Sequence, residues 1–364
     1  MSHPGVFGSG AGAVLRRLKT GLLWVLCCAS FSAVAGPQAA DRASSAPAAA
    51  SGADSAVAPA ERGIVQWIER MHGAPCVRPY AGTFVVWAAS GAMASSRIWH
   101  ACDGQQQVER IEALTGTPRT IFRRNDEVRT FFPQAQTVRL DRRESPGLFP
   151  RVPVVDGTSV AQFYASRAEG QERVAGFMAD VVRFKPVDSL RFGYKLWSER
   201  ETGLVVKLQT LGPDGRVLEQ AAFSELDLNA SLGTEQLLRM MEATAGYKRV
   251  EPTVVKTTVT AEGWGLRQPV AGFVPVSCHR RSVAAAGNSQ ASVLQCLYSD
   301  GLASVSLFLE PFNAERHPTQ PQVATAGATQ VLGQRILPDV WLTAVGEVPL
   351  QTLRLFAGQL ERLR

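Results

Sequence analysis

Between residue 83 and residue 346 apolar and polar residues alternate in short, turn-bounded runs, and helical spacing is confined to a few stretches. Ile64, Val65, Trp67, Ile68 and Met71 repeat at helical spacing. They predict an amphipathic helix that starts near Glu61 and is ended by Gly73 and Pro75. Short period-two runs then predict strands at 83–87, 97–101, 109–113, 120–124, 127–132 and 137–141. Asp103-Gly104 and Asn125-Asp126 read as turns, and connections this short predict an antiparallel sheet. Pro and Gly punctuate 145–153, and 159–167 reads as a short helix with Phe163 and Tyr164 as contacts. A second meander is predicted at 171–177, 179–186, 192–198, 204–211 and 217–227, with a hairpin turn at Gly212-Pro213-Asp214-Gly215. Residues 232–245 have helical character. Strands at 273–279, 293–298, 303–309, 327–337 and 340–346 then precede a closing amphipathic helix in 349–363. No repeat of fixed period is present.

The ends change the picture of charge. Arg16, Arg17 and Lys19 precede an apolar run, 21–31, that is short for a spanning helix, and Ala33-Val34-Ala35 supplies small residues. Residues 1–35 are therefore expected to be a signal peptide, with an uncleaved anchor as the alternative. Bulky Leu26 and Cys27 speak against a lipidation site at Cys27 or Cys28. The segment holds three basic residues and no acidic one, so its removal takes the net charge from +6 to about +3. That is too small a surplus to predict nucleic-acid binding. Residues 36–60, rich in Ala, Ser and Pro, cannot build a core and read as a disordered linker.

Cys76, Cys102, Cys278 and Cys296 remain after the leader. An even number in an exported chain predicts disulfides, and three pairings are open. Local pairing, Cys76–Cys102 and Cys278–Cys296, would put one bridge in each half, contributing about 3 kcal/mol each. His100 and His279 lie near two of these cysteines, but no CxxC pair supports a metal site. No cofactor is expected. The chain lacks G-x-S-x-G and H-E-x-x-H, and GSGAG at 8–12 precedes the leader's apolar run. Cys278-His279 are neighbours on a predicted strand and point to opposite faces, which argues against a nucleophile–base pair.

Two separated runs carry a resemblance. RVAGFMADVVRFKPVDSLRFGYKLWSERETGLVVK, 173–207, and YSDGLASVSLFLEP, 298–311, resemble the two signatures of the RseB/MucB family, in that family's order. HACDGQQQVERIEALTGTPRTIFRRNDEV at 100–128, LEQAAFSEL at 218–226 and VGEVPLQTLRLFA at 345–357 extend the likeness over most of 64–357. Cys76 and Cys102 are not part of that pattern.

The resemblance implies an α+β chain. An unclosed antiparallel β-barrel with helices, similar to the lipoprotein carriers LolA and LolB, should occupy 61–245. A linker at 246–256 and a smaller α+β domain at 257–364 should follow. It also implies a periplasmic negative regulator of the sigma-E response, not an enzyme. Such a protein grips the periplasmic region of a transmembrane anti-sigma factor, shields it from proteolysis, and releases it on binding lipopolysaccharide or another acylated ligand. Phe84, Val86, Trp99, Ile121, Phe131, Phe184, Phe192 and Leu196 are the apolar strand residues expected to line an acyl cavity, with ordinary core as the alternative. Arg119, Arg123 and Arg124, with Arg139, Arg142 and Arg143 near them, suit an anionic headgroup. The other reading is a solvated face balanced by Asp126, Glu127, Asp141 and Glu144. Asp300-Gly301 reads as a hairpin turn. A periplasmic lipid or lipoprotein carrier is the alternative function, and a Cys or Ser hydrolase a more distant one. Homo-oligomer formation is left open by the sequence.

Overall fold

A computed structural model of the chain describes residues 62–142, 149–150, 157–284 and 290–363. The expected signal peptide at 1–35 and linker at 36–60 lie outside the described residues. Helix α1 (Ile64–Gly73) buries Ile64, Trp67, Ile68 and Met71, the apolar stripe of the sequence, and Gln66 Oε1 accepts from the Gly63 N–H at 3.0 Å. Six strands follow: β1 (Tyr80–Ala88), β2 (Met93–Cys102), β3 (Gln107–Ala113), β4 (Thr120–Arg124), β5 (Glu127–Phe132) and β6 (Thr137–Arg142). After α2 (Gly157–Phe163) come β7 (Tyr164–Val174), β8 (Phe177–Pro186), β9 (Gly193–Glu199), β10 (Val205–Leu211) and β11 (Val217–Asp227), then α3 (Thr234–Glu242) and β12 (Lys248–Val250).

These strands form one 12-stranded sheet in the order β12-β6-β5-β4-β3-β2-β1-β11-β10-β9-β8-β7. Its two edges do not pair, so it stays open, and only the β12–β6 pairing is parallel. Register decides what each face carries, because directly opposed residues point the same way. The inner face packs on α1 and α2: Trp67, Ile68, Met71 and Val160 join Tyr164, Val182, Phe184, Tyr194 and Leu196 in one core. The outer face, at β2–β6, packs on α3: Leu237 meets Ala101 and Val108, and Met241 meets Phe122, Phe131 and Val138.

The second half carries β13 (Val254–Thr257), β14 (Trp264–Leu266), β15 (Val274–Ala284), β16 (Gln290–Ser299), β17 (Ser304–Pro311), β18 (Gln322–Ala326), β19 (Thr329–Leu337), β20 (Val340–Gly346), α4 (Leu350–Gln359) and β21 (Leu360–Arg362). Seven strands order as β13-β15-β16-β17-β20-β19-β18, while β14 pairs with β21. Leu353 and Phe356 of α4 close the core over Tyr298, Leu307 and Leu342. The fold is α+β, with a large open sheet and a smaller sheet-and-helix half.

Three segments differ from the pattern reading. The expected helix at 159–167 stops at Phe163, and Tyr164 begins β7, an exposed edge strand with little apolar alternation to mark it. The segment expected as a linker, 246–256, supplies β12 to the large sheet and begins β13 of the small one. The single strand expected at 327–337 is β19, preceded by the separate edge strand β18.

Candidate ligand-binding face and domain interface

The inner face is apolar at its centre. Phe84 lies opposite Phe223 on β11, and their rings are 6.2 Å apart. Phe149, from the connection between β6 and α2, sits 5.6 Å from Phe84 and 5.3 Å from Phe223. Val86 lies opposite Ala221, and Ile121 opposite Ile111. Phe184 and Leu196 lie opposite Tyr194 and Val182, under α1. The expected cavity residues Phe84, Val86, Ile121, Phe184 and Leu196 thus share the inner face. Trp99 and Phe131 do not. Trp99 is opposite Arg110, whose guanidinium stands 4.4 Å from the indole centroid, and packs with Ala101 and Leu237 on the outer face. Phe131 packs against Met241 and Tyr247 there. Phe192 is buried just before β9.

The three candidate arginines also divide. Arg123 points to the inner face, where its Nη1 is 3.3 Å from the buried Glu109 carboxylate. Arg124, next in sequence, points outward and donates through Nε to Gln106 Oε1 at 2.9 Å. Arg119 lies in the turn before β4, its carbonyl accepting from the Ala113 N–H at 3.0 Å. Fully buried His100 stacks on Tyr80 with centroids 4.9 Å apart and stands opposite Glu109.

The cysteines pair as Cys76–Cys102 and Cys278–Cys296. The first ties the turn after α1 to the end of β2. The second links directly opposed positions of β15 and β16. Among the described residues, no group of three or more His, Cys, Asp or Glu side chains could hold a metal ion.

The two signature runs meet in space. Asp300, at the β16–β17 turn, holds that turn by accepting from the Leu302 and Ala303 N–H groups at 2.9 and 2.7 Å. Its other oxygen accepts from Arg191 Nε at 2.6 Å and Tyr164 OH at 3.1 Å, both on the large-sheet side. Arg191 is 1% exposed and Asp300 3%, so this is a fully desolvated ion pair. The guanidinium also donates to the Ala271 carbonyl at 2.6 Å and lies between the rings of Phe163 and Phe273, 4.2 and 4.9 Å away. Gly272, at φ +79°, gives it room: a Cβ there would fall 2.2 Å from Arg191 Nη2. Burial raises the Tyr164 hydroxyl pKa well above its ordinary value and keeps it a donor. Sequence reading gave Asp300 a turn role, named Tyr164 as a contact without its partner, and missed Arg191. The available signal was a charged residue held between Leu190 and Phe192 in the connection between two apolar strands.

Further contacts join the halves. Thr352 Oγ1 donates to the Leu190 carbonyl at 2.8 Å, Arg281 pairs with Asp141 at 3.4 Å, and the Ala328 N–H donates to Glu219 Oε2 at 3.3 Å. Burial pushes the Glu219 carboxyl up. Burial first, and Glu219 second, raise Glu347 to about 7.

Comparison with known proteins places both halves. The MucB/RseB N-terminal domain matches residues 64–241 and the MucB/RseB C-terminal domain 258–361. The chain is 29% identical over 291 residues to the sigma factor AlgU regulatory protein MucB of Pseudomonas aeruginosa, covering 79% of this chain and 87% of that protein. It is 26% identical over 271 residues to the sigma-E factor regulatory protein RseB of Salmonella typhimurium, covering 73% and 81%. Its structure is similar to that of MucB in the Pseudomonas aeruginosa MucA/MucB complex, with TM-score 0.65 and 27% identity over 82% of this chain and 99% of that one. A crystal structure of MucB with MucA(peri) gives 0.63 and 26% over 82% and 98%. The chain belongs to the MucB/RseB family, the periplasmic regulators of the sigma-E stress response.

Proposed function

We propose that this protein binds the periplasmic region of a membrane-anchored anti-sigma factor and shields it from proteolysis. It releases that factor when lipopolysaccharide or another acylated ligand occupies the inner face of the large sheet. The observation that carries the reading is the likeness, across both halves, to MucB in complex with MucA. A lipid carrier would use the large sheet and have no need of the second half; here the second half is built into a buried ion pair with the first. The inner-face aromatics Phe84, Phe149 and Phe223 supply apolar surface for an acyl chain, and Arg123, paired with Glu109, supplies a cation farther along the same face on β4.

Ligand and partner would be coupled by linkage: a ligand that favours the partner-free arrangement weakens the partner by the same factor that the partner weakens it. Titration calorimetry with a MucA-like periplasmic fragment tests the partner. Saturable binding is expected. No binding, with acyl-lipid uptake retained, would overturn the reading in favour of a carrier.

A further inference from the structure

One end of the large sheet's outer face is left open. Helix α3 covers that face where Ala101 and Val108 lie, at the far end of β2 and the near end of β3. At the opposite end, β1 and β2 meet in a tight hairpin, with the Ala88 N–H bonded to the Ala92 carbonyl at 2.9 Å and Gly91 at φ +87°. Trp87 and Met93 face each other across this hairpin. The β3–β4 turn stands beside it: the Leu114 N–H donates to the Ser95 carbonyl at 2.9 Å, and the Ser95 N–H to Thr115 Oγ1 at 3.0 Å. Trp87, Met93 and Leu114 therefore project from adjoining tips on one face. They are 39%, 66% and 52% exposed.

The chemistry around them is uniform. Residues 83–96 and 113–118 contain no charged side chain. Charge begins one row inward, where exposed Arg97 lies opposite Glu112 and Thr83 lies opposite Glu225. Glu112 is already held by Arg110 at 3.0 Å. Arg119 closes the second tip, and Lys207 lies beyond β11, opposite Ala222. Around the apolar tips, with the adjoining β10–β11 turn included, the cations Arg97, Arg110, Arg119, Lys207 and Arg216 outnumber the carboxylates Glu112, Glu225 and Asp214, and Glu112 and Asp214 are each held by an arginine. A large indole flanked by flexible apolar side chains, on rigid tips and backed by arginines, matches the polar–apolar boundary of an anionic bilayer. Such a cluster of large exposed apolar residues marks an interaction surface and not ordinary solvated surface.

We propose that the adjoining β1–β2 and β3–β4 tips form a membrane-surface anchor, with Trp87, Met93 and Leu114 entering the interface of a bilayer that carries anionic headgroups. The anchor is on the outer face, so it is separate from the inner face assigned to an acyl ligand. It would hold the protein at a membrane without a spanning segment.

Flotation with vesicles of phosphatidylethanolamine and phosphatidylglycerol tests it. The protein is expected to float, more strongly as the phosphatidylglycerol fraction rises. Brominated acyl chains should quench emission in a Trp99→Phe background, where Trp67, Trp197, Trp264 and Trp341 are buried and Trp87 is the exposed indole among the described residues. The triple variant Trp87→Ser, Met93→Ser, Leu114→Ser should lose at least tenfold in vesicle partition, and Met93→Glu alone should weaken it severalfold. An inner-face change, Phe223→Ala, should leave flotation intact. Failure of the unaltered protein to float, or equal flotation of the triple variant and of Met93→Glu, would overturn the proposal. Loss of anti-sigma-fragment binding in vesicle-free buffer by the same variants, with flotation unchanged, would also overturn it, reassigning the surface to a peptide.

Discussion

At the scale of single residues, Arg191 and Asp300 form a desolvated pair in which Arg191 also meets Asp188, and Asp300 also accepts from Tyr164 and two backbone N–H groups. Removing one partner of a desolvated ion pair leaves the other buried and uncompensated. Arg191→Ala is therefore expected to cost about 3 to 5 kcal/mol, read as a lowered urea midpoint. The double replacement of Arg191 and Asp300 by similar-sized apolar residues should cost less than either single change. If Arg191→Ala left the midpoint unmoved, the pair would not be buried in solution. Phe84 and Trp99 give a second residue-level contrast, because strand register puts them on opposite faces. Phe84→Ala should weaken acyl-ligand binding. Trp99→Ala should lower stability by about 2 kcal/mol, below the full-burial cost because the ring is half-buried, while leaving the ligand alone. Calorimetry with a short acylated glycolipid separates the two, and equal loss of ligand from both would contradict the assignment of faces.

At the scale of elements, the strands were legible and the faces were not. Strands β4 and β5 fall where alternation put them, and β11 spans the predicted 217–227. Alternation marks which residues of one strand share a side, but not which side of the sheet that is. The phase between strands is set by the register of each hairpin, which pairs Trp99 with Ala81 and Phe131 with Thr120, both out of phase with the inner-face residues Phe84 and Ile121. That is why Trp99 and Phe131 entered the same list as Phe84. Edge elements were hard for a different reason. β7, β12 and β18 are mostly exposed, so no apolar period distinguishes them from loop. Phe149 was missed because a residue in a Pro/Gly-rich connection carries no period at all. The Cys76–Cys102 bridge acts at this scale too. It pins the turn after α1 to β2 across a separation of 26 residues. Its removal by Cys76→Ser with Cys102→Ser should cost about 3 kcal/mol through the unfolded chain. Hydrogen exchange should quicken first in α1; unchanged exchange there would show that packing of Trp67 and Met71 alone holds the helix.

At the scale of the molecule, two sheets meet through a buried ion pair on one side and a pair of carboxylates on the other. The meeting of 173–207 with 298–311 was not legible, since Arg191 and Asp300 are 109 positions apart and nothing local in either run names the other. The carboxylate side gives the interface a pH dependence. Glu347 is raised to about 7 by burial and then by Glu219, with Tyr194 the other titratable group facing it. A carboxyl raised in the folded state favours folding in its protonated form. Its contribution is complete below its ordinary value of 4.5 and is lost as pH rises through about 7. Acidification from pH 8 to 5.5 should therefore tighten the contact between β11 and the β18–β19 turn, seen as a higher protection factor at Ala328 once the intrinsic pH dependence of amide exchange is divided out. Glu347→Gln should flatten that response, and an unaltered response would place the titration elsewhere. The proposed function requires that acyl ligand and anti-sigma partner act on one protein through opposed arrangements. Its most direct test is reciprocity: the affinity for lipopolysaccharide measured with and without a saturating MucA-like fragment, and the affinity for that fragment with and without lipopolysaccharide. Each is expected to weaken the other by the same factor, about fivefold or more. Independent binding, with neither affinity moved, would contradict it.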